Sequence, residues 1–278
     1  MKFKVTKTLL ALPLKVVKVF STRLVLSNIA TTMLITVIQH MSRDVSLKMA
    51  QHDKKIWLGF LHYMKIQSFS QMSQDLWVLY RTSSRTKGFF VEVGSCHPTD
   101  LNNTFLLEST YAWDGILIEP NPNMADLLRA QRKSQVLERA VADGEVIELH
   151  LSENPEFSST KSQLSKETHR LHEPTGEVIL VKCATLTDLL TEGGCPSNFD
   201  FLSLDIEGGE LFALESLNLD QFRPKLISVE HNFGSSRALI AKYLSSNDYV
   251  LDPLSSKSSW DDWYIDKKYL QSISNTEI

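Results

Sequence analysis

Glycine is missing from the place where a dinucleotide fold would demand it. The turn Gly94-Ser95-Cys96-His97-Pro98 holds a single glycine, whereas the G-x-G-x-x-G fingerprint uses three, so that backbone can press against a pyrophosphate. A pyrophosphate would meet side chains here, which argues against NAD. Cysteine is as sparse: Cys96, Cys183 and Cys195 are odd in number and widely spaced, with no C-x-x-C pair and no metal-ligand spacing to histidine. They read as free thiols and fit a reducing, cytoplasmic compartment. An excess of basic residues is absent too. With a formal net charge of −4 and a sequence pI of about 6.1, the chain lacks the positive face that nucleic-acid binding needs. The base-gripping N-P-P-aromatic motif is also lacking, since Asn121-Pro122-Asn123 sits in the wrong place. No internal repeat occurs, and 278 residues at 42% hydrophobic suit one core domain plus an extension.

Acids are absent from the amino terminus, where Lys2, Lys4, Lys7, Lys15, Lys18 and Arg23 all precede Asp44. No charge interrupts Leu24 to Ser42, but Ser27, Asn28, Thr31, Thr32, Thr36, Gln39 and His40 dilute its apolar content to that of a marginal membrane span. Residues 1–45 are therefore open to three readings: a signal anchor, an organelle-targeting peptide, or a helix lying on the protein or on a membrane surface. Residues 46–84 read as a helical extension, with Trp57, Phe60, Leu61, Met64, Leu76, Val78, Leu79 and Tyr80 as apolar positions. The core domain is expected over 85–278.

What is present begins with Phe89, Phe90, Val91 and Val93, an apolar run suited to a strand buried on both faces. Gly94 ends it, so a ligand can approach backbone there, with the amides of the next helix facing an electron-rich group. Gly115 to Ile118 is the second strand, and Glu119 stands at its carboxyl end, where such sheets hold ligands. A carboxylate there can accept from both hydroxyls of a ribose. S-adenosylmethionine carries a ribose and an adenine but no phosphate, so it tolerates a loop with one glycine.

Further along, Met124 to Lys133 reads as a helix and Val136 to Val141 as a third strand, closed by small side chains beside which an adenine fits. Glu145 to Leu151 and Glu177 to Cys183 read as strands flanking a polar loop, Ser158 to Thr175, in an insertion of the length of a substrate lid. Phe199 to Leu204 delivers Asp205-Ile206-Glu207-Gly208-Gly209-Glu210 at its carboxyl end, and Lys225 to Glu230 delivers Glu230-His231-Asn232. The competing reading of the acids is that Asp205 and Glu207 cap a helix while Glu210 is solvated. Tyr249 to Leu251 and Trp260 to Ile265 close the sheet, the latter as an antiparallel edge.

These phrases together resemble the FkbM-type family of S-adenosylmethionine-dependent methyltransferases over roughly Ser70 to Ile265. SQDLWVLY, GFFVEVG with NNTFLLE, GILIEPNP, FDFLSLDIEGGE and PKLISVEHN carry the likeness, in this order. The resemblance implies an α/β Rossmann-like class I methyltransferase fold, with a mostly parallel seven-stranded sheet between helices. It also implies methyl transfer, most often to an oxygen of a carbohydrate, glycolipid or small natural product.

Carried over by position, Glu92, Gly94, Ser95, Cys96, His97, Asn103 and Thr104 would lie by the methionine part of the cofactor. Glu119, with Pro120 and Asn121, would hold the ribose, and Ala140, Val141 and Asp143 would border the adenine. Asp205, which would also touch the cofactor, and Glu207 would flank the methyl group and acceptor, opposite Glu230 and His231. Many relatives have more glycine where this chain has Cys96-His97-Pro98. The side chain whose ordinary pKa suits a base is His231, oriented by one of the acids. Alternatively Asp205 and Glu230 hold Mg²⁺, which would acidify the acceptor hydroxyl. A non-catalytic scaffold on the same fold and an NAD-dependent sugar-modifying enzyme are the rival readings.

Overall fold

The computed structural model describes residues 54–61, 68–152, 159–160, 174–231, 234–255 and 260–274. Expectations for residues 1–45, for Met64 and for most of Ser158–Thr175 lie outside them. The chain divides into two compact units, Met1–Gln67 and Ser68–Ile278. In the first, residues 54–61 form a helix in which the Trp57 and Phe60 rings stack at 5.9 Å. No helix among the described residues is long and apolar enough to cross a membrane.

The second unit begins with α1 (Gln74–Arg81), which the sequence reading placed in the helical extension. Trp77 on α1 stacks on Trp263 at 5.0 Å and meets Phe201 edge-on. Its indole N–H and the Arg81 fork both donate to buried Asp252. There follow β1 (Phe89–Val93), α2 (Phe105–Tyr111), β2 (Asp114–Ile118), α3 (Pro122–Gln131), β3 (Gln135–Leu137), β4 (Ala140–Val141), β5 (Val146–Ser152), β6 (Ser159–Thr160) and β7 (Pro174–Ala184). The remainder is α4 (Leu186–Glu192), β8 (Phe201–Leu204), α5 (Glu210–Glu215), β9 (Leu226–Glu230), α6 (Ser236–Ser246), β10 (Tyr249–Leu251), β11 (Asp261–Asp266) and α7 (Lys267–Ser274).

Seven strands form the main sheet in the order β10-β11-β9-β8-β1-β2-β3. Neighbours from β3 to β9 pair in parallel, and β11 pairs antiparallel with β9 and β10. This is the Rossmann-like class I methyltransferase fold that the resemblance implied. Because side chains alternate along a strand, Val91, Val93, Ile116, Ile118, Leu202, Leu204, Ile227 and Val229 share one face. They form a single aliphatic core with Leu186, Leu189 and Leu190 of α4, Leu214 of α5, and Ile240 and Leu244 of α6. The opposite face carries Phe90 and Phe201 low down and polar Glu92, Ser203 and Ser228 nearer the carboxyl edge.

Three expectations need correction. Val136–Val141 is two strands, not one. After β3 the chain turns sharply, Arg139 N–H bonding Leu137 O, and Ala140–Val141 crosses to a four-stranded sheet, β4-β7-β5-β6, where it pairs with Cys183 and Ala184. The break falls at Glu138 and Arg139, whose charges pair with Arg129 and Glu192 instead of entering a core. The last strand is antiparallel as expected but lies inside the sheet, and β10 is the edge. Every residue from Asp261 to Asp266 is buried, as an interior strand requires. Within Ser158–Thr175, expected as a loop, Ser159–Thr160 and the residues from Pro174 are strand.

Arg132 pins the loop after β1. Its side chain is 0% exposed, donating to Glu108, Pro98 O, Asn102 Oδ1 and Thr104 Oγ1 over the rings of Phe90 and Phe105. Arg132→Met is expected to cost about 3–5 kcal/mol in denaturant unfolding, because it strands the buried carboxylate of Glu108. The same variant should expose the 95–104 loop to hydrogen exchange.

Candidate active site

The parallel register aligns the strand ends. Val93 pairs with Ile118 and with Leu204, and Leu204 pairs with Val229. The next residues are therefore Glu119, Gly94, Asp205 and Glu230, a row crossing four strands at the carboxyl edge. Gly94 is at φ +80°, and a Cβ built there would lie 1.8 Å from the Asp205 carbonyl oxygen. Only glycine lets the loops after β1 and β8 come this close.

Glu119 is 6% exposed. One carboxylate oxygen accepts from Cys96 N–H at 2.9 Å and the other from Asn121 N–H at 2.8 Å. A carboxylate has about four acceptor positions, so two remain. Burial pushes the group up to about 7, against the two amide bonds and with a contribution from the Glu92 charge. Asn121 caps α3, its side chain accepting from Asn123 N–H, and half-buried Pro120 lies between them.

The loop after β1 differs from the expected turn, since the amides of Gly94, Ser95, Cys96, Asn103 and Thr104 are taken by protein. Gly94 and Ser95 N–H both bond Ile118 O. Glu92, buried, accepts from Asn102 Nδ2, Asn103 N–H and Thr104 Oγ1. Asn102 Oδ1 accepts from Thr104 and Phe105 N–H at the start of α2. The first amide of α2, that of Phe105, is thereby taken by Asn102. Desolvation raises the pKa of Glu92, opposed chiefly by Arg132. Ser95 Oγ donates to Glu92 O, and Cys96 takes a left-handed φ of 45°. The Nδ1 of His97 accepts from Asp100 N–H and, at 3.3 Å, from Thr99 N–H, so its ring braces the glycine-poor turn. Asn103 donates to Ser203 Oγ, and its Oδ1 is buried without a hydrogen-bond partner.

Asp205, Glu207 and Glu230 converge, with one oxygen of each within 4.8 Å of the others. Glu230 is held well above the usual carboxylate range, by burial first and then by the charges of Asp205 and Glu207. Glu207 is at φ 57°. The capping alternative does not hold: α5 starts at Glu210 after Gly209 without a side-chain cap. Glu210 is 2% exposed and accepts from Ile206 and Gly208 N–H, which fixes the loop that presents Asp205 and Glu207.

His231 is buried, and its Nε2 is 3.5 Å from Asp262 Oδ1, which the Arg237 fork also holds. The acid that the structure places beside Nε2 is Asp262, at ion-pair distance and without a hydrogen bond to it. Ala140 and Val141, expected beside the adenine, are buried in the β4–β7 pairing, and Asp143 is exposed in the turn that follows.

Sequence reasoning missed Asn102, Arg132, Ser203, Ser228 and Asp261. Asp261 lies opposite Glu230 and accepts from Ser228 and from Gln74 of α1. That last contact joins residues 187 apart, and no local signal reports it.

Comparison with curated protein sequences gives no match. Among solved structures, a precorrin-6y C5,15-methyltransferase from Geobacter metallireducens is similar with 9% identity and a TM-score of 0.38, covering 72% of this chain and 90% of that one. A human methyltransferase 10 domain containing protein has 13% identity and a TM-score of 0.39, covering 70% and 79%. A TehB-like methyltransferase from Corynebacterium glutamicum has 9% identity and a TM-score of 0.36, covering 78% and 98%. These superpositions are too loose to bear on activity. The model of the methyltransferase FkbM domain, in contrast, matches residues 92–251, a span that takes in the whole row from Gly94 to Glu230. The chain thus belongs to the FkbM methyltransferase family.

Proposed function

We propose that the protein transfers a methyl group from S-adenosylmethionine to a hydroxyl oxygen of a carbohydrate, glycolipid or small natural product. The observation that carries this reading is Glu119, a buried carboxylate fixed by two backbone amides and still able to accept two hydroxyls. The residues fit that donor. Glu119 suits a ribose, the missing Cβ of Gly94 keeps the floor low between two strand ends, and Asn103 Oδ1 is a buried acceptor in want of a donor. The turn after β1 has one glycine, so a pyrophosphate would meet side chains there.

When bound, S-adenosylmethionine supplies a methyl group already activated on a sulfonium. The protein has to align a hydroxyl and take its proton. We assign the proton to the Asp205–Glu230 pair. These acids stand in the row itself, and burial with the charges of Asp205 and Glu207 raises Glu230 well above the usual carboxylate range, so the pair holds a proton more strongly than an ordinary carboxylate. Glu207 then orients the acceptor by a hydrogen bond. His231 is turned to Asp262 and supports the end of β9. The same three carboxylates have the spacing to share a divalent cation, so magnesium is a second use of this cluster.

The test is calorimetric titration of S-adenosylmethionine and S-adenosylhomocysteine, with and without Mg²⁺. Glu119→Ala should weaken both by about a hundredfold or more, since each hydrogen bond to a charged group is worth about 1.5–3 kcal/mol. No binding by folded wild type would sink the proposal and leave the scaffold reading. A pH series adds a check on Glu119. Only the ionised form accepts from two hydroxyls, so donor affinity should fall as the pH drops below about 7. Fold stability should move oppositely, because raising the pH from 4.5 to about 7 ionises this carboxyl in the unfolded chain first.

A further inference from the structure

A hollow lies beside Asp262, on the sheet face that packs against α6. The cavity, of about 1190 Å³, runs between α6 and the edge of the sheet at β10 and β11. Its origin is legible in α6. Ile240 and Leu244 of the helix enter the core, whereas Ala238, Ala241 and Ser245 face the cavity and are too small to fill it. Leu251, 49% exposed, presents an apolar side chain on the same face as Tyr264.

The charges in this hollow are not those of the whole chain. In a protein of net charge −4, the cavity is lined by Arg237, Lys242 and Lys267 against the single carboxylate of Asp262. Arg237 and Asp262 neutralise one another in a fork at 2.7 and 2.9 Å. Lys242 is exposed on α6. Lys267 bonds Asp248 at 2.8 Å, with side chains 44% and 67% exposed. Such exposed pairs hold weakly and exchange partners readily. Two lysines thus bring uncompensated or loosely compensated positive charge to an amphipathic hollow.

Asp262, in its wall, lies 3.5 Å from the buried His231 Nε2 but on the sheet face opposite Glu230, so the hollow is separate from the row of strand ends.

We propose that this cavity is a site for an anionic, hydroxyl-bearing molecule with a phosphate or carboxylate, separate from the row of strand ends. Lys242 and Lys267 bind the anion, and the exposed Leu251 takes a carbon-rich face such as that of a pyranose ring. The anion site does not depend on the methyl-transfer reading.

The test compares glucose 6-phosphate, glucuronate and glucose by calorimetry on the full chain. Either anionic sugar should bind at least tenfold tighter than glucose, the better of the two telling phosphate from carboxylate. That advantage should disappear in the exposed double variant Lys242→Ala/Lys267→Ala and shrink at high salt. The double variant should keep the melting temperature and donor affinity of the wild type. Equal binding of the three sugars, or an advantage that survives the double variant, would overturn the proposal. Donor titration in parallel keeps the questions apart: failure to bind S-adenosylmethionine with anion binding intact would remove the methyl-transfer reading alone.

Discussion

Asp205→Asn is expected to lower single-turnover methyl transfer by about 10²–10⁴-fold, the range that a positioned base supplies, while the protein stays folded. Asp205 is half-buried in the row of strand ends, within 4.8 Å of Glu207 and Glu230 oxygens. The amide keeps the shape but cannot take a proton. Removing one of three crowded carboxylates relieves repulsion, so the melting temperature should hold or rise. The neighbouring Glu230 should titrate lower, because the Asp205 charge is among the causes that lift it. His231→Gln is the companion measurement. If His231 only braces Asp262, its variant should keep turnover within several-fold of wild type and lose stability. A large loss of turnover in His231→Gln with a small one in Asp205→Asn would transfer the base to the histidine.

Gly94→Ala should destabilise the protein by more than about 4 kcal/mol, an exceptional amount for one methyl group, and abolish donor binding. Two effects add. The φ of +80° is costly for any side chain, by about 1–2 kcal/mol. The larger effect is contact: the new Cβ would stand 1.8 Å from the Asp205 carbonyl oxygen, which is main chain and cannot swing away. One of the two loops must lift. Either movement strains the bonds from Gly94 N–H to Ile118 O and from Asp205 N–H to Val93 O, which tie the strand ends together. Gly144→Ala separates the two causes. Gly144 is also left-handed, at φ +89°, but a Cβ there meets nothing within 4 Å. It should cost only the backbone part in denaturant unfolding. Equal losses at both positions would mean that the close approach of the loops contributes nothing.

Local chemistry decided a good deal of this protein from the sequence alone. Apolar runs such as Phe89–Val93 and Phe201–Leu204 mark strands buried on both faces, and that requirement does not depend on which neighbours bury them. The placement of Glu119, Asp205 and Glu230 directly after strands is likewise a fact of chain order, as is the lone glycine that disfavours a pyrophosphate. Tertiary structure decided what stands beside what. Strand order puts β1 between β2 and β8, so that Gly94 lies between Glu119 and Asp205. Register, which hydrophobic pattern does not report across a crossover, sets all four residues in one row. Periodicity could not show that Glu138 and Arg139 would break the third strand, because their partners Arg129 and Glu192 are fixed by folding. Nor could it show that Asp262 would claim His231, or that Arg132 would be buried among four acceptors. Burial and side-chain pairing are properties of the packed sheet and its helices, and the distance along the chain between such partners hides them from any local reading.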